Sequence, residues 1–485
     1  MAASLGGATS RGWPATVLLF GPALAWSLAA ALGLVWTAGD SRAWETLDRH
    51  GDPVAGSARC EACHAQAHDS WRRSWHRTMT QEATPGELAG LGPLTVASTD
   101  GEGEDDRGQD GVLAPFAGET LDYLGFRATM DRDEHGRPRI TVTREGEVVL
   151  AATVALTVGS HRYQQYVGFM SREGELWRLP VAWHRAERRW IHMNGAFVEP
   201  EGETGSLADY QRHLSRWNDN CIFCHNTQPV PGPTADGLGF ASEVGELGIG
   251  CEACHGPAQA HVARHRNPLR RLLARGEGDG SITHPGRLDP ARESAVCGRC
   301  HGQRIGRDIA AILREGDDFI PGEDLARVSR PIFADTVIPG VSGLDGRDGS
   351  QPFAARFWPD GTPRLSAYEY QGLLLSPCYQ EEAPGGLGCN HCHDMHGARP
   401  ELQVRAGMEG DAACLSCHDR DALGGGDRPG GHGGHGGRVT CYQCHMPRTT
   451  YGLLQGMISH RITSPDPAAL VGRGDQPDAC TQCHV

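Results

Sequence analysis

One motif limits what this chain can fold around more than any other feature. Cys-x-x-Cys-His occurs eight times: Cys60, Cys63 and His64; Cys221, Cys224 and His225; Cys251, Cys254 and His255; Cys297, Cys300 and His301; Cys389, Cys392 and His393; Cys414, Cys417 and His418; Cys441, Cys444 and His445; Cys480, Cys483 and His484. These copies take 16 of the 17 cysteines, far beyond chance. The motif reads as covalent attachment of a c-type haem. Two thiols three positions apart on one helical turn can form thioethers to both vinyl groups of a single porphyrin, and the adjacent imidazole then faces the iron. Zinc ribbons need paired Cys-x-x-Cys elements or histidines at loop spacing, not a histidine that always abuts the second cysteine. Thioredoxin-like redox pairs need one copy in a βαβ setting. Eight covalent haems with iron are therefore expected, with the eight motif histidines as proximal ligands.

Composition agrees with a core filled partly by porphyrin. Apolar residues make up 39% and aromatics 6% of 485 residues, while Gly (66) and Pro (30) are abundant. No lysine occurs, so all 45 cationic residues are arginine, which excludes lysine nucleophiles, Schiff bases and lysine haem ligands. The formal net charge of -15 argues against nucleic-acid binding, which requires a basic face.

Between Arg11 and Asp40 no residue is charged. Residues 16–36 are largely apolar, and at about 1.5 Å rise per residue they reach ~31 Å, enough to span a bilayer. This segment reads as a membrane anchor or as a long cleaved signal. Both readings imply a location outside the cytoplasm, on the periplasmic side of a bacterial inner membrane or exported.

Successive first cysteines are 161, 30, 46, 92, 25, 27 and 39 residues apart, so most haems must lie close together. The expected organisation is an anchor or signal at 1–38, a linker at 39–58, a first haem segment at 59–109, a β-rich insertion at 110–200 and a seven-haem domain at 201–485. Within the insertion, Ile140 and Val142 alternate with polar neighbours before a turn at Glu145-Gly146, which reads as a β-hairpin. ELWRLPVAWH and RRWIHM read as two further strands. The fold class expected is mainly α and irregular, a multihaem cytochrome c with a haem-packed core and a small antiparallel β subdomain between the first two motifs.

Sixteen histidines remain after the proximal eight. Imidazole is a good iron ligand, and position relative to the motifs selects His76, His192, His213, His261, His284, His396, His432 and His460 as distal candidates. His161 competes with these, and His435 with His432. His50, His68, His135, His184 and His265 read as ordinary surface or hydrogen-bonded residues.

CEACHAQAHDSWRRSWHRTM resembles the opening of the multihaem cytochromes related to the tetrahaem partner of hydroxylamine oxidoreductase. WNDNCIFCHNT, GCEACHGPAQAHV, CGRCHGQR, CNHCHDMHG and CYQCHMPRTTY are similar to successive haem segments of a multihaem family often fused to tetratricopeptide repeats, which this sequence lacks. The likeness covers roughly residues 58–485. It implies distal roles for His76, His261 and His396.

Haems with two histidine ligands pass electrons, whereas an open sixth position binds substrate. Because spare histidines are plentiful, electron transfer with redox-protein donors and acceptors is the expected function. The alternative is an octahaem oxidoreductase acting on a small nitrogen or sulfur compound at one open haem. Catalytic residues for that alternative are not identified; Tyr379, Tyr442 and Tyr451 are available for a tyrosine cross-link of the hydroxylamine oxidoreductase kind. Cys378, the one cysteine outside a motif, reads as a small buried hydrophobe.

Overall fold

The computed structural model describes residues 50–88, 92–97, 111–170, 173–196, 204–273, 280–380, 386–397, 399, 403–419, 439–452, 454–466 and 476–484. The apolar segment 16–36 and the histidine pair His432 and His435 lie outside them. Among the described residues no helix is long and apolar enough to cross a membrane. The chain divides into two compact units, Met1–Arg49 with Ala260–Ile282, and His50–Gln259 with Thr283–Val485.

The larger unit is not mainly α, which corrects the expected fold class. Its dominant element is a nine-stranded sheet. The strands are β1 (Thr80–Glu82), β2 (Glu119–Tyr123), β3 (Phe126–Arg132), β4 (Pro138–Arg144), β5 (Glu147–Val158), β6 (Tyr163–Phe169), β7 (Leu176–His184), β8 (Arg189–His192) and β9 (Ser215–Arg216). All pairings are antiparallel, in the order β9-β7-β6-β5-β4-β3-β2, with β1 added to β5 and β8 to β7. The 12-residue β5 carries β4 along its first part and β1 along its last three residues, with β6 on the other edge. The sheet thus begins before residue 110 and ends after residue 200.

Turn chemistry explains the meander. The β4–β5 connection is Glu145-Gly146 with φ of 51° and 89°, and the β2–β3 connection is Leu124-Gly125 with φ of 52° and 80°. Two positive φ values in a two-residue loop give a turn whose twist matches that of the flanking strands. Along β4, Pro138, Ile140 and Val142 are buried and their neighbours half-buried, the period-2 pattern of a sheet with one covered face.

Helices are short. Among the described residues only α1 (Ala58–Arg72, 15 residues) exceeds nine. Among the described residues the Cys-x-x-Cys-His motifs define half of the other twelve α-helices, and glycine or an extended residue ends several of these within a turn or two.

Two apolar clusters use the sheet. In the first, Phe126, Met130, Ile140, Tyr166, Leu179 and Trp190 pack together, with Phe116 edge-on to Tyr166 and Trp190 at 5.2 Å. In the second, Leu156, Val167 and Leu176 meet Trp217 and Ile222, which lead into and occupy the second motif, together with Val244 and Leu247. Phe126 is 1% exposed. Phe126→Ala is expected to cost about 3–5 kcal/mol of unfolding free energy, measured by urea titration of the holoprotein with far-ultraviolet circular dichroism. A loss under about 1 kcal/mol would show that this cluster does not stabilise the sheet.

Candidate haem-binding site

Each motif needs one turn of helix, and the chain supplies it locally. Cys60–His64 opens α1, which breaks its helical geometry at His64 (φ -123°, ψ 41°). A π-helical turn at Trp217–Cys221 runs into Ile222–His225. Cys251–His255, Cys389–Cys392 and Cys441–His445 are single turns, and Pro290–Gly298 carries Cys297 near its end. Gly250 and Gly388 precede two of these turns, where a Cβ would collide with the carboxylates of Glu246 and Glu293. Those buried acids hold the turns from outside. Glu293 accepts from the Asn390 amide at 3.0 Å, and burial pushes its pKa up to about 7. Glu246 accepts from the Ser57 hydroxyl at 2.6 Å. Glu252 accepts the Ala55, Gly56 and Ala258 amides at 2.9, 2.8 and 2.7 Å.

No two of the 17 cysteines are joined in a disulfide. Cysteines of different motifs lie side by side: Cys60 with Cys251, Cys224 with Cys300, Cys297 with Cys389, and Cys414 with Cys441. Cys254 lies within electrostatic reach of Cys300, Cys392 of Cys417, and Cys444 of Cys480 and Cys483. The motifs therefore form a continuous series, first, third, fourth, fifth, sixth, seventh and eighth, with the second beside the fourth.

Three motif histidines are oriented by hydrogen bonds from Nδ1. His255 donates to Thr283 O at 2.8 Å, His393 to Gln403 O at 3.2 Å and His445 to Thr463 O at 3.0 Å. A proton held on Nδ1 leaves the Nε2 lone pair for a metal. His301 differs: its Nδ1 faces the Glu369 carboxylate at 3.7 Å. That carboxylate pushes the His301 pKa up to about 9, whereas burial pulls those of His255 and His393 down.

Three motif histidines meet histidines from elsewhere in the chain. Ring centroids of His301 and His76 are 6.1 Å apart, of His255 and His396 6.1 Å, and of His393 and His460 6.3 Å. Two imidazoles that ligate one ion from opposite sides, at about 2.0–2.1 Å per bond, have centroids roughly 6.2 Å apart. The residues thus fit a haem: two thiols and an imidazole on one turn, with a second imidazole at axial distance.

The remaining distal candidates are placed differently. His192 stacks on Tyr123 at 4.1 Å and lies 4.5 Å from Tyr210. Its Nδ1 accepts the Asn194 amide at 3.2 Å, and its electrostatic neighbour is His213. His192 thus packs among aromatic rings of the sheet, while its Nε2 is buried without a hydrogen bond. The His213 carbonyl accepts from Arg178. His284 is exposed, close enough to His255 to lower its pKa. His261, in the smaller unit, is 3.1 Å from the Ser281 hydroxyl and 4.6 Å from the His265 ring. His161 stacks on Trp75 at 4.7 Å with Nε2 3.2 Å from Thr78 Oγ1. His50, expected to be ordinary, pairs with Glu323 at 2.9 Å. Tyr442 donates to Met408 O at 3.1 Å, and Cys378 is half-buried near Cys414. Sequence reasoning missed Glu369, Gln403 and the carbonyls of Thr283 and Thr463, because no local pattern marks a residue that orients a distant imidazole.

Comparison with known proteins bears on the motifs and on the fold. The doubled CXXCH motif family matches residues 383–423, spanning the fifth and sixth motifs. No curated protein matches the chain. The crystal structure of the outer cell wall cytochrome OcwA superposes with a TM-score of 0.53 at 17% identity, over 89% of this chain and 83% of that one. The chain therefore has the fold of a multihaem cytochrome and carries the attachment motifs of covalently bound c-type haem.

Proposed function

We propose that this protein is an octahaem electron carrier whose haems are mostly held between two histidines. The observation that carries the reading is the set of three histidine pairs at 6.1–6.3 Å, each joining a motif histidine to one from outside the motif. His76, His396 and His460 are then the distal ligands opposite His301, His255 and His393. His192, His213, His261, His284 and His432 remain distal candidates for other haems. Bound haem supplies a one-electron couple between ferric and ferrous iron, with a potential set by axial ligands, nearby hydrogen bonds and burial. The chain's part is to fix the imidazoles through Nδ1, to exclude water around them and to keep neighbouring attachment sites in contact. The continuous series of thiols supports a path along the first, third, fourth, fifth, sixth, seventh and eighth motifs, with the second as a branch at the fourth.

The apolar segment 16–36 and the requirement that c-type haem be attached outside the cytoplasm support an extracytoplasmic, membrane-associated location. The partners proposed are redox proteins. With a protein charge of -15 and ionised propionates, the surface attracts basic donors or acceptors, so reduction by a basic cytochrome should slow as salt rises. Rates independent of ionic strength would remove the steering argument.

Intact mass and electron paramagnetic resonance of the native protein test the central reading. The expected result is eight haem masses above the mature polypeptide and a spectrum dominated by low-spin ferric iron. A shortfall of two or more haems would overturn the count. A large high-spin fraction would overturn the carrier reading in favour of an open-haem oxidoreductase.

A further inference from the structure

Gln403 sits where two of the proposed axial pairs meet. Its main-chain carbonyl accepts the Nδ1 proton of His393 at 3.2 Å. Its side-chain Nε2 lies 3.0 Å from Nδ1 of His76. His393 faces His460, and His76 faces His301. One residue therefore touches a histidine of the fifth-motif pair through its backbone and a histidine of the fourth-motif pair through its side chain. The backbone is held unusually to do this. Gln403 has φ of 51°, left-handed geometry that is costly for a residue with a Cβ other than Asn or Asp. Such strain persists only where surrounding contacts over-determine it, and it gathers at functional sites. The local structure supplies those contacts: Asp394 N donates to the same Gln403 carbonyl at 2.9 Å, and Arg405 N donates to Cys392 O at 2.9 Å.

We propose that Gln403 is a shared positioning residue, holding His76 with its side chain and His393 with its carbonyl, so that a hydrogen-bonded bridge links the axial ligands of two neighbouring haems. The inference rests on the reading of His76 as a distal ligand. With Nε2 of His76 turned to iron, Nδ1 carries the proton, and a half-turn of the carboxamide, which exchanges its nitrogen for its oxygen, presents an acceptor to it. A bond to Nδ1 raises the basicity of the imidazole and fixes the ring plane. His76 and His393 then keep a set relation to each other as well as to their own irons.

The two arms of the bridge can be separated by mutation. Gln403→Ala removes the side chain and leaves the carbonyl, so the fourth-motif haem alone should respond. The expected result is a changed low-spin electron paramagnetic resonance signal for one haem of eight and a rise in its reduction potential of about tenfold in the equilibrium, or ~59 mV. The fifth-motif signal should not move. Gln403→Glu restores an acceptor for Nδ1 and adds charge, so the same haem should titrate at or below its native potential. Gln403→Asn suits the left-handed backbone but is one methylene shorter, and it should behave as Gln403→Ala. Intact mass showing eight haems in each variant establishes that folding and attachment survive. Native spectra and potentials in Gln403→Ala would overturn the bridge. His76→Ala distinguishes the two levels of the argument. If it yields no high-spin haem, the ligand reading fails. If it yields one while Gln403→Ala changes nothing, only the role of Gln403 fails.

Discussion

His396→Ala is expected to convert one haem of the eight from low-spin to high-spin. The His396 ring stands 6.1 Å from His255 with the two planes 18° apart, and alanine leaves nothing at that place to complete the iron's coordination. The effect is all-or-none at that haem and absent from the other seven. It is read as a high-spin ferric signal of one equivalent by electron paramagnetic resonance, and as a gain of one carbon monoxide site in the reduced protein. His460→Ala should do the same opposite His393, where the rings are 6.3 Å apart and 22° from parallel. A spectrum that does not change on either substitution would remove that histidine from the ligand set.

Glu369→Gln is expected to raise the reduction potential of the fourth-motif haem by about 60–180 mV, one to three tenfold steps in a one-electron equilibrium. Three other motif histidines donate to neutral backbone carbonyls, whereas Nδ1 of His301 faces a carboxylate at 3.7 Å. A negative charge there favours the ferric state, which bears one more positive charge than the ferrous, and partial burial weakens solvent screening of that interaction. The native fourth-motif haem should accordingly lie at the low end of the eight potentials. Glutamine keeps the shape and removes the charge, so the shift separates electrostatics from packing. Optical redox titration resolves it. A potential curve identical to the native one would show that the carboxylate does not act on that iron.

The attachment sites were legible because covalent chemistry requires contiguous residues, and no folding decision can move Cys297, Cys300 and His301 apart. Ligand pairing was less visible. His76, His396 and His460 stood out by proximity to motifs, yet the sequence does not show that His76 meets His301 rather than its own neighbour His64. His192 has the same surroundings in sequence, but aromatic rings of the sheet surround it. The sheet was half visible. Alternation at Ile140 and Val142 and the Glu145-Gly146 turn marked one hairpin, which forms in that register. The β2–β3 hairpin stayed hidden because Leu124-Gly125 lacks the Asn or Asp that usually announces such a turn. The expectation of a mainly α fold failed for a related reason. Each motif asks for one helical turn, and one turn does not imply a helix.

The sheet also separates two kinds of stability within one chain. Its aromatic cluster closes upon itself through Phe126, Tyr166 and Trp190, all contributed by strands that follow one another closely along the chain. The paired histidines come from distant stretches, with His76 waiting for His301 and His255 for His396. The sheet can therefore form soon after its last strand is made, before the C-terminal half of the chain is available. The proposed ligand pairs must wait for the C-terminal half, so folding of the sheet and closure of the histidine pairs are separate events, the first local and the second not.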